Sequence, residues 1–168
     1  MKKGIFLIIP IALFLINASC TKDIDRPIST DVLYSNSFES PLDTASWGGC
    51  WLSLIDDTPS GGGAKALSVS CGCLAPHVNF DIGPFTEDHK LIISCMARGH
   101  GMGGFLSLRQ GIDEINFGIS ADISEWTYQQ SPDTLFCSAN ETLSIYISAG
   151  GFASGTVDID LLEIRAVD

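Results

Sequence analysis

From residue 31 onward the apolar side chains recur at every second position. Leu91, Ile93, Cys95 and Ala97 form one such run, Leu106 and Leu108 another. Leu143, Ile145 and Ile147 form a third, and Val157, Ile159 and Leu161 a fourth. A period of two marks strands that bury one face. Clusters such as "TPSGGG", "GHGMGG", "QGIDE", "SPD" and "SAGGFASG" separate the runs. Glycine, proline, serine and aspartate punctuate a chain because they accept or enforce turn conformations. With strands of ordinary length, the pattern predicts about ten, near 31–38, 51–55, 64–70, 77–82, 89–98, 104–109, 115–120, 125–130, 141–148 and 156–165. No helical period of useful length interrupts them, so an all-β antiparallel sandwich or barrel is expected. Neither an internal repeat nor a second compositional regime appears, which makes 31–168 one domain.

The same phase sorts side chains by direction. Tyr146 falls between Ile145 and Ile147, and Arg98 follows Ala97, so both project away from the core. Trp51 is the freest of the chain's tryptophans. Trp51, Arg98 and Tyr146 are therefore the ligand candidates, with an ordinary surface role as the plainer reading.

The first twenty residues, "MKKGIFLIIPIALFLINASC", change the picture. Two lysines, an apolar stretch from Ile5 to Ile16 and the small residues Ala18 and Ser19 form an export signal over residues 1–19. The apolar stretch is too short to cross a bilayer, which takes roughly 20 residues. A cysteine directly after the small residues resembles the lipobox of bacterial lipoproteins. The position three before it is Asn17 instead of the usual Leu, Val or Ile, as in the looser boxes of Bacteroidetes lipoproteins. The resemblance implies cleavage before Cys20 and acylation of Cys20. It also implies anchoring to a bacterial membrane (outer membrane, on the periplasmic or cell-surface side) through the polar tether at 20–30. Several acyl chains would hold more firmly than the single chain that binds only marginally.

Charge narrows the partners. The formal net charge is −11, and the leader removes Lys2 and Lys3 from only nine basic residues. Such a surface repels nucleic acid. Export also makes disulfides expected among the cysteines beyond Cys20. Cys95, inside "LIISCMARG", reads as a core residue, and a bridge from Cys50 to Cys71 or Cys73 is the expected pairing. "CGCLAPH" lacks the two separated ligand pairs of a zinc site. "RGHGMGG" lacks the ending of a phosphate loop and leads into a strand. No Gly-x-Ser-x-Gly elbow occurs, and no carboxylate pair is visibly set across a cleft. No enzyme is expected.

In order, the domain shows "SFES", Trp47, "SGGGAKALSVS", "KLIISCMARG", "SEWTYQQSPDT", "ETLSIYISAGG" and "GTVDIDLLEIRAV". This succession resembles the jelly-roll sandwiches of the galactose-binding-like group, which includes many carbohydrate-binding modules. The resemblance implies a jelly-roll fold with Trp47 and Trp126 in the core. It further implies a structural calcium ion between the first and last strands, held by Glu39 of Phe-Glu, Asp160 of Ile-Asp and backbone carbonyls. The family often has a second acid or amide after that aspartate, where this chain has Leu161. Hard oxygen ligands suit Ca²⁺, whereas two solvated edge acids would be the plain alternative. The function expected is a lipid-anchored, non-catalytic module holding glycan at the cell envelope. The alternative is a structural or interaction subunit of an envelope lipoprotein complex with no sugar bound.

Overall fold

The structure, a computed structural model, describes residues 31–49, 51–70, 77–150 and 155–167. The export signal, Cys20, the tether and the disulfide candidates Cys50, Cys71 and Cys73 lie outside the described residues. Twelve strands occur among those described: β1 Val32–Asn36, β2 Gly48–Gly49, β3 Leu52–Ile55, β4 Ala66–Ser70, β5 His77–Ile82 and β6 His89–His100. They continue with β7 Gly104–Gln110, β8 Asp113–Ile119, β9 Thr127–Gln130, β10 Leu135–Cys137, β11 Leu143–Ala149 and β12 Thr156–Val167. The ten strands that alternation predicts are all present. It misses β2, which has no side chains to alternate, and β10, which is too short to show a period.

The strands form two antiparallel sheets of a jelly-roll sandwich. One runs β10-β6-β12-β4-β3, with β1 also on β12 and β9 also on β6; the other runs β2-β5-β11-β7-β8. The alternating residues meet between them. Leu67, Ile93, Leu106, Leu108, Ile145, Ile147 and Ile159 are all fully buried. Each such side chain contributes roughly 1.5–3 kcal/mol relative to exposure. Cys95 and Cys137 are free thiols within this core, and burial pushes both of them up from the usual thiol range. At one end Trp47 stacks on Phe80, with centroids 5.4 Å apart, and meets Phe38 edge-on at 5.8 Å.

Trp126 departs from the expected core position. It is only half-buried, and its ring lies under the Arg98 guanidinium, 4.7 Å from the ring centroid. Arg98 is on the outward phase of β6, so Trp126 packs on the outside of the seven-stranded sheet.

The long strands β6 and β12 pair along almost their whole length. The other edge of β12 is shared in tandem. β4 takes Thr156 to Ile159, and β1 takes Leu162 to Arg165. The chain's first and last strands are therefore neighbours. Where β4 leaves and β1 begins, β12 carries a bulge: Asp160 faces Met96 but Glu163 faces Ser94. The extra residue shifts the side-chain phase by one. Leu162 and Ile164 consequently fill the core, and Leu161, which simple alternation places inside, is only half-buried at φ 48°.

Candidate functional site

Three groups of residues carry the chemistry. The first lies in the notch at the β12 bulge. Asp160 is on the outward phase of β12 yet has no exposed surface, because the β3–β4 loop, residues 56–65, folds over it. A side chain at Gly62 would overlap Asp160 Oδ2 and the Pro59 ring; one at Gly63 would overlap the Glu39 carboxylate. The two consecutive glycines thus stand directly against the two acids. Glu39 Oε2 accepts a hydrogen bond from Ala64 N (2.9 Å), and Asp160 Oδ1 accepts one from Leu161 N (2.7 Å). Asp160 Oδ2 is buried with no hydrogen-bond partner among the described residues. Burial, reinforced by the charge of Glu39 and partly offset by the Leu161 N–H, pushes the Asp160 carboxyl up to about 6. Two of the chain's few non-glycine residues at positive φ, Phe38 (55°) and Leu161 (48°), adjoin these acids. Such conformations cost of order 1–3 kcal/mol each and gather at ligand clamps.

A buried carboxylate oxygen with no donor, a second carboxylate beside it and a cradle open only to glycine together fit a hard cation. Among the described residues no group of three or more His, Cys, Asp or Glu is placed so that these side chains alone could hold a metal ion. The remaining ligands of a Ca²⁺ ion would then be main-chain carbonyls and water, both ordinary for this metal.

The second group lies farther along the same outer face. Asp158, opposite Arg98 across the β12–β6 ladder, is buried. Arg98 Nε reaches Asp158 Oδ2 at 2.8 Å, and Arg98 Nη1 reaches Asp57 Oδ2 of the β3–β4 loop at 2.7 Å. His100 Nε2 lies 3.4 Å from the same Asp158 oxygen. Both arms of the guanidinium are engaged, and Trp126 covers its face. The Arg98 hydrogen bond holds the Asp57 carboxyl below the usual carboxylate range.

The third group lies on the outer face of the five-stranded sheet. Tyr146 of β11 faces Ser107 of β7, which in turn faces Asn116 of β8; on the other side Tyr146 faces Asn79 of β5. Arg109 lies over the Tyr146 ring, 4.4 Å from its centroid, and its Nε is 3.0 Å from Glu114 Oε2. Ser107 is fully buried, and its hydroxyl has no hydrogen-bond partner among the described residues. This face thus centres one aromatic ring and one guanidinium among amides, hydroxyls and a carboxylate.

The structure therefore brings Glu39 and Asp160 together and separates the three ligand candidates. Arg98 and Tyr146 occupy different sheets and face outward on opposite sides of the sandwich. Trp51, 53 % exposed, directly precedes the edge strand β3 of the seven-stranded sheet, its carbonyl accepting from Ser70 N. Arg109, Asn79 and Asn116 escaped the sequence reading, although the alternation that singles out Tyr146 applies equally to them. A separate cavity of about 300 Å³, lined by Tyr34, Ser35, Asn36, Asp43 and Phe80 among others, touches none of these groups.

The comparisons with solved structures agree with the jelly-roll sandwich at the level of fold. The chain is similar to the CBM22-1 xylan-binding domain of Paenibacillus barcinonensis Xyn10C, with TM-score 0.59 and 16% identity over 83% of this chain and 97% of that one. It is similar to TmCBM61 in complex with β-1,4-galactotriose, with TM-score 0.50 and 10% identity over 73% of this chain and 89% of that one. It also resembles part of bacteriophage CBA120 tailspike protein 4, with TM-score 0.55 and 15% identity over 83% of this chain and 22% of that one. A scan against protein-family models and a search of curated proteins find no match.

Proposed function

We propose that this chain is a non-catalytic carbohydrate-binding protein, lipid-anchored through Cys20 at a bacterial cell envelope, that holds glycan on the outer face of its five-stranded sheet. The observation that carries the reading is the Tyr146–Arg109 centre on β11 and β7, neighbouring inner strands of that sheet. Sugar rings offer C–H faces to an aromatic ring and hydroxyls to polar neighbours, and binding sites combine such an apolar element with a few placed polar groups. Asn79, Asn116 and Glu114 supply those polar groups. The ion pair between Arg109 and Glu114 leaves the centre nearly neutral, and the strongly acidic chain disfavours anionic polymers. Neutral glycans are thus the expected ligands.

Calorimetric titration with xylohexaose and β-1,4-galactotriose tests the site. Binding that falls at least tenfold in Tyr146→Ala, with the melting temperature unchanged, supports it. Equal affinity of wild type and variant removes it. A stoichiometric protein partner recovered from membranes, together with no glycan binding, would favour the envelope-complex role instead.

The notch at Glu39 and Asp160 belongs to the same reading as a structural Ca²⁺ site. A bound ion supplies the charge that lets buried Asp160 stand beside the exposed carboxylate of Glu39. The chain's part is to present Asp160 Oδ2 without a competing donor, to orient Glu39 through Ala64 N and to admit the ion past two glycines. An ion that binds only the folded state stabilises it by mass action. Chelation with EDTA should lower the melting temperature and added Ca²⁺ restore it; identical melting curves would eliminate the ion.

A further inference from the structure

The β3–β4 loop does two things at once. Its Gly62–Gly63 end forms one wall of the carboxylate notch, and its Asp57 end is tied to Arg98. Arg98 itself belongs to the rigid part of the molecule. It rises from β6, one of the two central strands of its sheet, pairs through Nε with buried Asp158 of β12 and is backed by Trp126. Within the loop, Lys65 pairs with Asp56 at the neck, Gly62 N donates to Pro59 O at 2.9 Å, and Thr58 Oγ1 donates to Gly63 O at 3.0 Å. These bonds make residues 56–65 a braced unit, so fixing Asp57 also fixes the glycines that face Glu39 and Asp160.

We infer that Arg98 and Asp57 form a latch that holds the β3–β4 loop shut over the Glu39–Asp160 notch and slows departure of its cation. The inference rests on the calcium reading of that notch and adds a kinetic role for two residues that contact neither proposed ligand. It also gives Arg98 a purpose other than glycan contact. The guanidinium is suited to it because a planar fork can serve two carboxylates at once, which a lysine ammonium does not reproduce.

The test is the rate of Ca²⁺ release from the loaded protein, measured by stopped-flow mixing with excess quin-2. Asp57→Asn removes the loop's charge at an exposed site, where folding should survive. Losing the Arg98 Nη1–Asp57 Oδ2 contact should make release about fivefold faster. Arg98→Lys keeps a cation beside Asp158 but loses the fork, and should accelerate release similarly. The double variant should be no faster than either single one, since both remove the same contact. Asp113→Asn, an equal change of charge at the start of β8, should release at the wild-type rate. If wild type binds Ca²⁺ and Asp57→Asn releases it at the wild-type rate, the latch is refuted while the calcium site stands. A latch is also refuted if Asp113→Asn accelerates release as much as Asp57→Asn, because the effect is then one of net charge. No Ca²⁺ binding by wild type overturns both.

Discussion

At the scale of single residues, the notch depends as much on absent side chains as on present ones. Gly62 has no unusual backbone conformation, yet a methyl group there would meet Asp160 and Pro59 together. Overpacking of this kind costs about 1–3 kcal/mol. Gly62→Ala should therefore weaken Ca²⁺ binding about tenfold or more by calorimetry; unchanged affinity would mean that the loop does not wall the site. Asp57 has a pH signature of its own. Because Arg98 lowers its pKa in the folded state, its stabilisation is complete above the unfolded value near 3.8 and disappears as pH falls through the lower folded value. The melting-temperature gap between wild type and Asp57→Asn should be constant from about pH 5 to 8 and close as the pH drops below about 4. A gap that persists there would show that the contact is not ionic.

Among the elements, strand alternation made the sandwich legible before any coordinates, because each strand buries a single face against the opposite sheet. Two things escaped it. A bulge adds one residue without a local marker, so in "IDLLEI" nothing distinguishes Leu161 from Leu162 as the core residue. The partners of an outward side chain are equally invisible, since phase tells direction but not sheet. For that reason Trp51, Arg98 and Tyr146 read as one set and lie apart. Trp126 reads as core only through a family resemblance, and its contact with Arg98 joins residues far apart in sequence. The proximity of Glu39 and Asp160 was legible from that same resemblance, whereas the role of the glycine loop was not. The bulge has a direct check. Leu162→Ala should cost about 2–5 kcal/mol in denaturant unfolding, as a fully buried leucine does. Leu161→Ala should cost about 1 kcal/mol or less, since surface-side changes are small. Reversed costs would place the bulge elsewhere.

For the whole molecule, the two sheets divide the work. The seven-stranded sheet gathers the first and last described strands, the carboxylate notch and the Arg98–Asp57 contact. The five-stranded sheet is held to the other by the core and has a polar outer face whose centre combines a ring and a guanidinium. Strand β1, where the described residues begin, lies beside β12 on the seven-stranded sheet, the layer opposite the proposed glycan face. The proposed anchor and the proposed glycan face would then lie on separate layers. The decisive measurement is a titration of the ¹⁵N-labelled domain with xylohexaose and β-1,4-galactotriose, followed by amide chemical-shift mapping. Shifts concentrated at Asn79, Ser107, Arg109, Asn116 and Tyr146, with Arg98 and Asp158 unmoved, are the predicted result. Saturable shifts confined to the seven-stranded sheet, or no shifts with either sugar, would contradict it.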